Sequence, residues 1–590
     1  MLIFKSNFLG RYFLIIVVLL TIVVGMLYAL PQFLIAKEVK DDGNAFILSQ
    51  FTYLHDGGDA YIQYAREVVD GHFPPSDLFF DYKNSNIFPP LPPLLLASLI
   101  FLFKDVSVAY IIASFLFSSI LFLMFFFLGW LVFEKNKFLS IFMGLVGTLT
   151  PIAIHLPHAF LSFDNFSNII LKNFYPAVKT FLPNLFLARI DYPLITHLIY
   201  LPAIIMFFVF WHKPKFTTGI LTGFLAGLLF YTYFHKWVYW VIVIGLASLY
   251  LFIFKRSNKQ ILLKWMILIG TMLLVSIPYF INYLRYNSLL GAQDQILRLQ
   301  LEIGRNFNWL YWQYYLAYLI FGILVYIVLW KREEFKNRAI LYWIFLLAAF
   351  LVWNVQFVTG YVPHSDHWPR ASSPLLFLIL SDLIYILLKK IGLRWINLKA
   401  YMFVFLFTLS ALLLTKKIIN FTGFISSPPQ ILKDYSFPED VVSSWGWMNY
   451  NLKESSVASS SFISSTYLPA FTSTRPFLPV GIMVPITNYQ MEEKFLEVNK
   501  LFDVDNNTLD YRLRDGQGLR CYEFCDRPYV GSNIDGSSYF IYGLYFIENK
   551  ESYSYKTPTA KIVELNERYK NIIVDLEKLN IDYVYYGPWE

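Results

Sequence analysis

LPPLLLASLIFLF, Leu91 to Phe103, decides how this chain folds, because counting it as a membrane crossing reverses the side on which everything after it lies. At about 13 residues it falls short of the roughly 17 to 25 that a bilayer requires. It follows Phe88-Pro89-Pro90 and carries Pro92-Pro93, four prolines that donate no amide hydrogen bond and break helix pairing. It reads as a re-entrant or interfacial segment.

With that run set aside, eleven apolar stretches have spanning length: 12–35, 107–133, 138–155, 192–211, 216–233, 237–254, 261–284, 309–330, 339–360, 371–388 and 395–415. Composition agrees. Of 590 residues 57% are hydrophobic and 19% aromatic, and the mean hydropathy is +0.49, which excludes an ordinary soluble globule. The expected fold is an all-α polytopic membrane protein. The formal charge of +7 is scattered in short clusters between apolar runs, which argues against a nucleic-acid partner.

Those basic clusters set orientation. Lys5 and Arg11; Lys135 and Lys137; Lys213 and Lys215; Lys255, Arg256 and Lys259; Lys331, Arg332, Lys336 and Arg338; and Lys389, Lys390, Arg394 and Lys399 fall on one side. The longer loops of the other side are poorer in basic residues, so the positive-inside rule places the N-terminus in the cytoplasm of a plasma-membrane protein. Residues 12–35 exceed a signal-peptide h-region and read as an anchor. The outer face then receives loops 36–106, 156–191, 234–236, 285–308 and 361–370, and the segment 416–590.

Polar clusters in those loops are the candidates for chemistry, since ionisable groups near a bilayer are costly and functional by default. In HDGGDAYIQYAREVVDGHFPPSD, His55 to Asp77, the apolar positions Tyr61, Tyr64, Ala65 and Val68 recur at helical spacing, with Arg66, Glu67 and Asp70 opposite. A short helix on the membrane surface is expected, with Asp56 and Asp59 at its start. There a carboxylate can accept a proton or hold a divalent cation, or serve as a plain helix cap. The second outer loop closes with ARIDYPLITHL, putting Arg189 and Asp191 at the mouth of a span, where Asp also suits a helix N-terminus. Asp164 is a third acid. His235 and Lys236 occupy a hairpin tip, and YVPHSDHWPRASSP supplies His364, Asp366, His367 and Arg370. Outer cations suit a lipid phosphate, Arg by bidentate contact. Snorkelling of Lys236 and helix-end solvation of Arg370 are the alternatives.

These motifs together resemble the GT-C superfamily of integral-membrane glycosyltransferases, which use polyprenyl-phosphate-linked sugars. The first-loop Asp before YIQYAREVVDGHFP, the following PPLPPLLLA, the IDYPL that closes the second loop, the late HWPR and the final LEKLNIDYVYYGP carry the resemblance, which covers most of the chain at the level of layout. It implies that Asp59 is a general base or metal ligand and Asp191 the second-loop acid. Arg370, with His367, Lys236 and Arg189, would meet the donor phosphate. Many members show adjacent acids where this chain has Gly57-Gly58 before Asp59, so Asp56 and Asp59 both stand as the operative group. A divalent metal ion, Mg or Mn, held by Asp59 and Asp191 is a further implication. The acceptor would be a saccharide, lipid or protein hydroxyl.

Residues 416–590 are polar and Ser-rich. PEDVVSSWGWMNYNLKE and KIVELNERYKNIIVDLEKLN read as helices, and SYFIYGLYFI and IDYVYYG as strands, giving an extracytoplasmic α/β domain after a membrane module of residues 1–415. Cys521 and Cys525 exclude a C-x-x-C motif and leave a local disulfide and two free thiols equally open. Rival functions are a transporter or flippase of lipid-linked saccharides, or a non-catalytic membrane scaffold.

Overall fold

A computed structural model describes residues 7–48, 61–75, 88–160, 162–175, 190–254, 258–298, 302–330, 332–362, 367–392, 396–425, 435–459, 462–478, 484–514 and 559–587. Among the described residues nine helices are long and apolar enough to cross a membrane: Tyr12–Asp41, Val106–Val132, Pro193–His212, Phe234–Phe254, Lys259–Asn287, Trp312–Trp330, Glu333–Val352, Trp368–Lys389 and Val404–Thr422. The protein is a helical, multi-pass integral membrane protein.

Two expected spans are shorter than drawn from sequence. The run 138–155 divides into helices Lys137–Leu149 and Ile152–Ala159, because Pro151 cannot donate to the preceding turn. The run 216–233 forms Phe216–Leu228 and then tightens into the 3₁₀ turn Leu229–Tyr231. Leu91–Phe103 is a helix of 13 residues that stops at Lys104, whose φ of 59° closes the last turn.

Contacts group the chain into two compact units. The first comprises Met1–Phe33, Ile111–Ile277 and Gly304–Ser427. One close helix pair in it follows from three glycines four residues apart. A Cβ at Gly223 would lie 2.3 Å from the Leu268 carbonyl oxygen, and Gly219 and Gly227 face the same helix, Lys259–Asn287. Small residues at this spacing let backbones approach and replace the hydrophobic drive that is missing between helices in lipid. Elsewhere the interior is aromatic, with Phe207 edge-on to Trp240 and Trp265 at ring distances of 5.2 and 5.9 Å. Among the described residues one acid is buried there. Asp382 accepts from Arg338 Nη1 at 2.9 Å and from the Tyr342 hydroxyl at 2.6 Å, so its charge is both paired and hydrogen-bonded.

The second unit comprises Leu34–Tyr110, Pro278–Ile303 and Pro428–Glu590. Helix Tyr61–Val69 forms as its periodicity predicts, but it does not lie with its apolar face on a membrane. Ile62, Tyr64 and Ala65 are buried, and Tyr64 belongs to a core with Phe495, Leu509 and Ile562. On its flank Arg66 pairs with Asp70 and donates to Asn449 at 2.8 Å. A second core surrounds Phe437, Trp445 and Tyr467. Ser456–Ala458 is the middle of three short strands, parallel to Arg475–Pro476 and to Tyr583–Val584. Ala45–Phe46 pairs antiparallel with Ser436–Phe437.

Of the expected late elements, the helix Glu439–Asn451 and the strand at Tyr583–Val584 are present. The long helix is cut to Thr559–Asn571. SYFIYGLYFI, Cys521 and Cys525 lie outside the described residues.

Candidate functional site

Three membrane-spanning helices of the first unit bring their N-terminal ends together, and two of those ends are prepared by an irregular turn. Before Thr196 the chain makes a wide π-helical turn, Ile190–Ile195, around Pro193, a form that recurs at functional sites. Before Phe234 it passes through the 3₁₀ turn Leu229–Tyr231, closed by a hydrogen bond from Thr232 Oγ1 to the Leu229 carbonyl at 2.6 Å. The third end is Trp368-Pro369, where Ser373 bonds back to the Pro369 carbonyl at 2.6 Å.

Lys236 is the centre of this junction. It does not snorkel: its exposure is 0%, and Nζ donates to Thr196 Oγ1 at 2.8 Å. Thr196 in turn donates to the Pro193 carbonyl at 3.0 Å, so its lone pairs are directed at the ammonium. The Tyr200 ring lies 5.3 Å from Nζ, and its hydroxyl donates to the Ala371 carbonyl at 2.8 Å, which fixes the first helix to the third. Beside Thr196, His197 is fully buried with Nδ1 2.7 Å from the Pro193 carbonyl. That contact assigns the ring proton to Nδ1 and leaves Nε2 as an acceptor. The 3.0 Å approach of Lys236 Nζ to the same nitrogen is then a close contact rather than a donated bond. Among the described residues Nε2 of His197 has no hydrogen-bond partner.

Around this centre sits an aromatic and imidazole layer. Tyr233 is hydrogen-bonded to His367 Nδ1. The His235 ring meets Trp368 at 4.4 Å and His367 at 5.3 Å, both edge-on, and stacks on Tyr233 at 4.9 Å. Arg370 is half-buried two residues beyond Trp368, close enough for its charge to act on both Lys236 and His197.

The sequence candidates divide accordingly. Lys236, His367 and Arg370 share this one junction. The backbone of Asp191 lies in the turn Ile190–Ile195 that leads into it. Asp56, Asp59, Arg189, His364 and Asp366, and the side chain of Asp191, lie outside the described residues. Asp164 is an exposed first-turn residue of helix Phe163–Phe174, behind the Ser162 cap, which is the position the helix dipole favours. Sequence reasoning missed Thr196, His197, Tyr200 and Tyr233. The signal for two of them was present: Thr-His within an otherwise apolar span is costly unless it is used.

A set of cations, imidazoles and hydroxyls held dry at helix N-termini can offset charge on an anionic oxygen. Among the described residues no three His, Cys, Asp or Glu side chains assemble as metal ligands. No family model matches the chain, and no curated protein matches it.

Proposed function

We propose that the protein is a glycosyltransferase of GT-C type, moving a sugar from a polyprenyl-phosphate-linked donor to an acceptor hydroxyl. The observation that carries this reading is the burial of Lys236 against Thr196 at the same junction as His367 and Arg370. In the reaction the acceptor oxygen bonds to the anomeric carbon as the carbon–oxygen bond to phosphate breaks. The leaving polyprenyl phosphate gains one negative charge. Cations preorganised in a water-poor site are worth most where charge develops, and that is the role of Lys236 and Arg370. The acceptor proton goes to a carboxylate, for which Asp59, Asp56 and Asp191 are the candidates on the resemblance described above. The same reading takes the chain as eleven-span, with its N-terminus cytoplasmic and a small α/β domain at its C-terminus outside. Sugar transfer from labelled polyprenyl-phosphate hexose and pentose donors tests it. Loss of transfer in Asp59→Asn, with expression intact, is the expected result.

One observation favours a second reading, a transporter of lipid-linked saccharides. Lys236, Asp382, Lys416 and Lys417 are charged groups buried within spans, and two helices begin after irregular turns, as transporter sites do. Proteoliposomes separate the two. A transporter moves the lipid-linked saccharide across the bilayer without consuming it.

A further inference from the structure

Helix Phe163–Phe174 is amphipathic, and its apolar side is exposed. Phe163, Phe166 and Ile170 follow one another at three and four residues and so share a face, with Leu171 at its edge. Asp164, Asn165, Asn168 and Lys172 take the opposite face. The four apolar side chains are 81%, 46%, 38% and 44% exposed in that order. Along the whole helix only Asn173 and Phe174, at its C-terminal end, are buried. Large apolar groups gathered on one face stay hydrated at a cost if water is their neighbour, so the face implies a cover.

The depth of the helix says what that cover is. Just before it, the Phe160 ring meets Phe321 edge-on at 5.2 Å, and Phe321 is buried within the span Trp312–Trp330. At a rise of about 1.5 Å per residue, Phe321 stands roughly 13 Å along the axis from Trp312. At the other end, Asn173 Nδ2 donates to the Ile169 carbonyl at 2.8 Å, and Asn173 Oδ1 accepts from Lys417 Nζ at 3.0 Å. Lys417 belongs to the span Val404–Thr422 and lies roughly 7 Å short of its end on the same rise. A segment fastened at both ends to points inside spans runs at the level of the bilayer boundary rather than above it in water. Its apolar face also continues a lipid-facing surface, since Ile418 and Ile419, next to Lys417 on the span, are exposed. A helix with one apolar face, one polar face and low net hydrophobicity is the form that lies in a membrane interface.

We propose that helix Phe163–Phe174 lies in the boundary layer of the bilayer, with Phe163, Phe166 and Ile170 entering the acyl chains and Asp164, Asn168 and Lys172 facing headgroups and water. The occupant of the apolar face is lipid. This placement holds whether or not sugar transfer is found.

Spin labels on the full-length protein in phosphatidylcholine nanodiscs test it, in a Cys521→Ser, Cys525→Ser background. Phe163→Cys, Phe166→Cys and Ile170→Cys report the apolar face, and Asp164→Cys, Asn168→Cys and Lys172→Cys the polar one. Labels at 163, 166 and 170 are expected to collide with oxygen more than with a water-soluble nickel chelate, at a depth of about 5–10 Å. At 164, 168 and 172 the preference is expected to reverse. Should the cysteine-free background fail to fold, photo-cross-linking from Phe166→p-benzoylphenylalanine in the otherwise native chain reads the same neighbour, and adducts on phospholipid are expected. Free access of the nickel chelate to all six positions overturns the placement. Protection of 163, 166 and 170 from both reagents, or cross-links to protein alone, identifies a cover from a second copy or from residues 176–189 and overturns it equally.

Discussion

Lys236 Nζ donates to Thr196 Oγ1 at 2.8 Å across two helices whose sequence positions lie 40 apart. The bond places a fully buried ammonium at the start of a membrane span, next to a hydroxyl rather than in water.

Replacing Lys236 by Met separates a structural ammonium from a functional one. Exchanging a buried charge for an apolar side chain of similar length is often neutral or stabilising, so the melting temperature in detergent is expected to hold or rise. Sugar transfer is expected to fall about 10²- to 10³-fold, the usual cost of removing one preorganised donor from developing charge. A variant that loses stability and activity together would make Lys236 a structural residue.

Helix packing in the first unit gives a sharper stability test. Gly223→Leu puts a Cβ 2.3 Å from the Leu268 carbonyl oxygen, and overpacking of this kind costs about 1–3 kcal/mol. Gly245→Ala has no heavy atom within 4 Å of the new Cβ and is expected to be neutral or slightly stabilising. Thermal melts of the two variants in the same detergent should move apart.

In the second unit, Arg298 is buried and donates to Asn488 Oδ1 at 2.6 Å and to the Val484 and Ile486 carbonyls at 2.7 and 2.8 Å. Arg298→Ala strands both carbonyls, and each buried unsatisfied group costs about 1–3 kcal/mol. Hydrogen exchange should show the segment 484–488 opening before the rest of this unit. Unchanged protection there would show that other contacts hold it.

Tyr569 supplies a pH test. Burial, with the charge of Asp503 adding to it, pushes its hydroxyl up to about 12, and that hydroxyl donates to the Val504 carbonyl. A phenol with an ordinary pKa near 10 in the unfolded chain is protonated in both states below that value, so its contribution is fully present there. Between about 10 and 12 the unfolded state binds fewer protons than the folded one, and stability falls as pH rises. Tyr569→Phe is expected to melt lower at neutral pH by about 1 kcal/mol for the lost bond and to show a shallower decline above pH 10. Parallel declines in both proteins would remove the titration from Tyr569.

How much of this was legible beforehand depends on the range of the interaction. Nine of the eleven expected spans were, among the described residues, because a window of apolar residues is a local property, while the runs 138–155 and 216–233 are divided by turns that the window does not register; Leu91–Phe103 was recognised as too short on length and prolines alone. Tyr61–Val69 was legible as a helix but not in its surroundings, since an apolar face fits a bilayer surface and a protein core equally well, and its partners Phe495 and Ile562 lie more than four hundred residues away. Lys236 was visible as an unusual cation. Its partner was not, because Thr196-His197 is hidden inside an apolar run and only the fold brings the two helix ends together. The same holds for Lys416 and Lys417, which follow the expected end of a span at 415 yet lie on its continuing buried stripe.

The central claim is that this membrane protein consumes a lipid-linked sugar. The direct measurement is release of polyprenyl phosphate from a sugar-labelled polyprenyl-phosphate donor by the purified protein in nanodiscs supplied with membrane extract as acceptor. Wild type is expected to release it, Lys236→Met to release it about 10²- to 10³-fold more slowly, and Asp59→Asn to fall to background, both variants remaining folded. Wild-type rates in both variants, or a wild type that leaves the donor intact while carrying it across a proteoliposome membrane, would contradict the account.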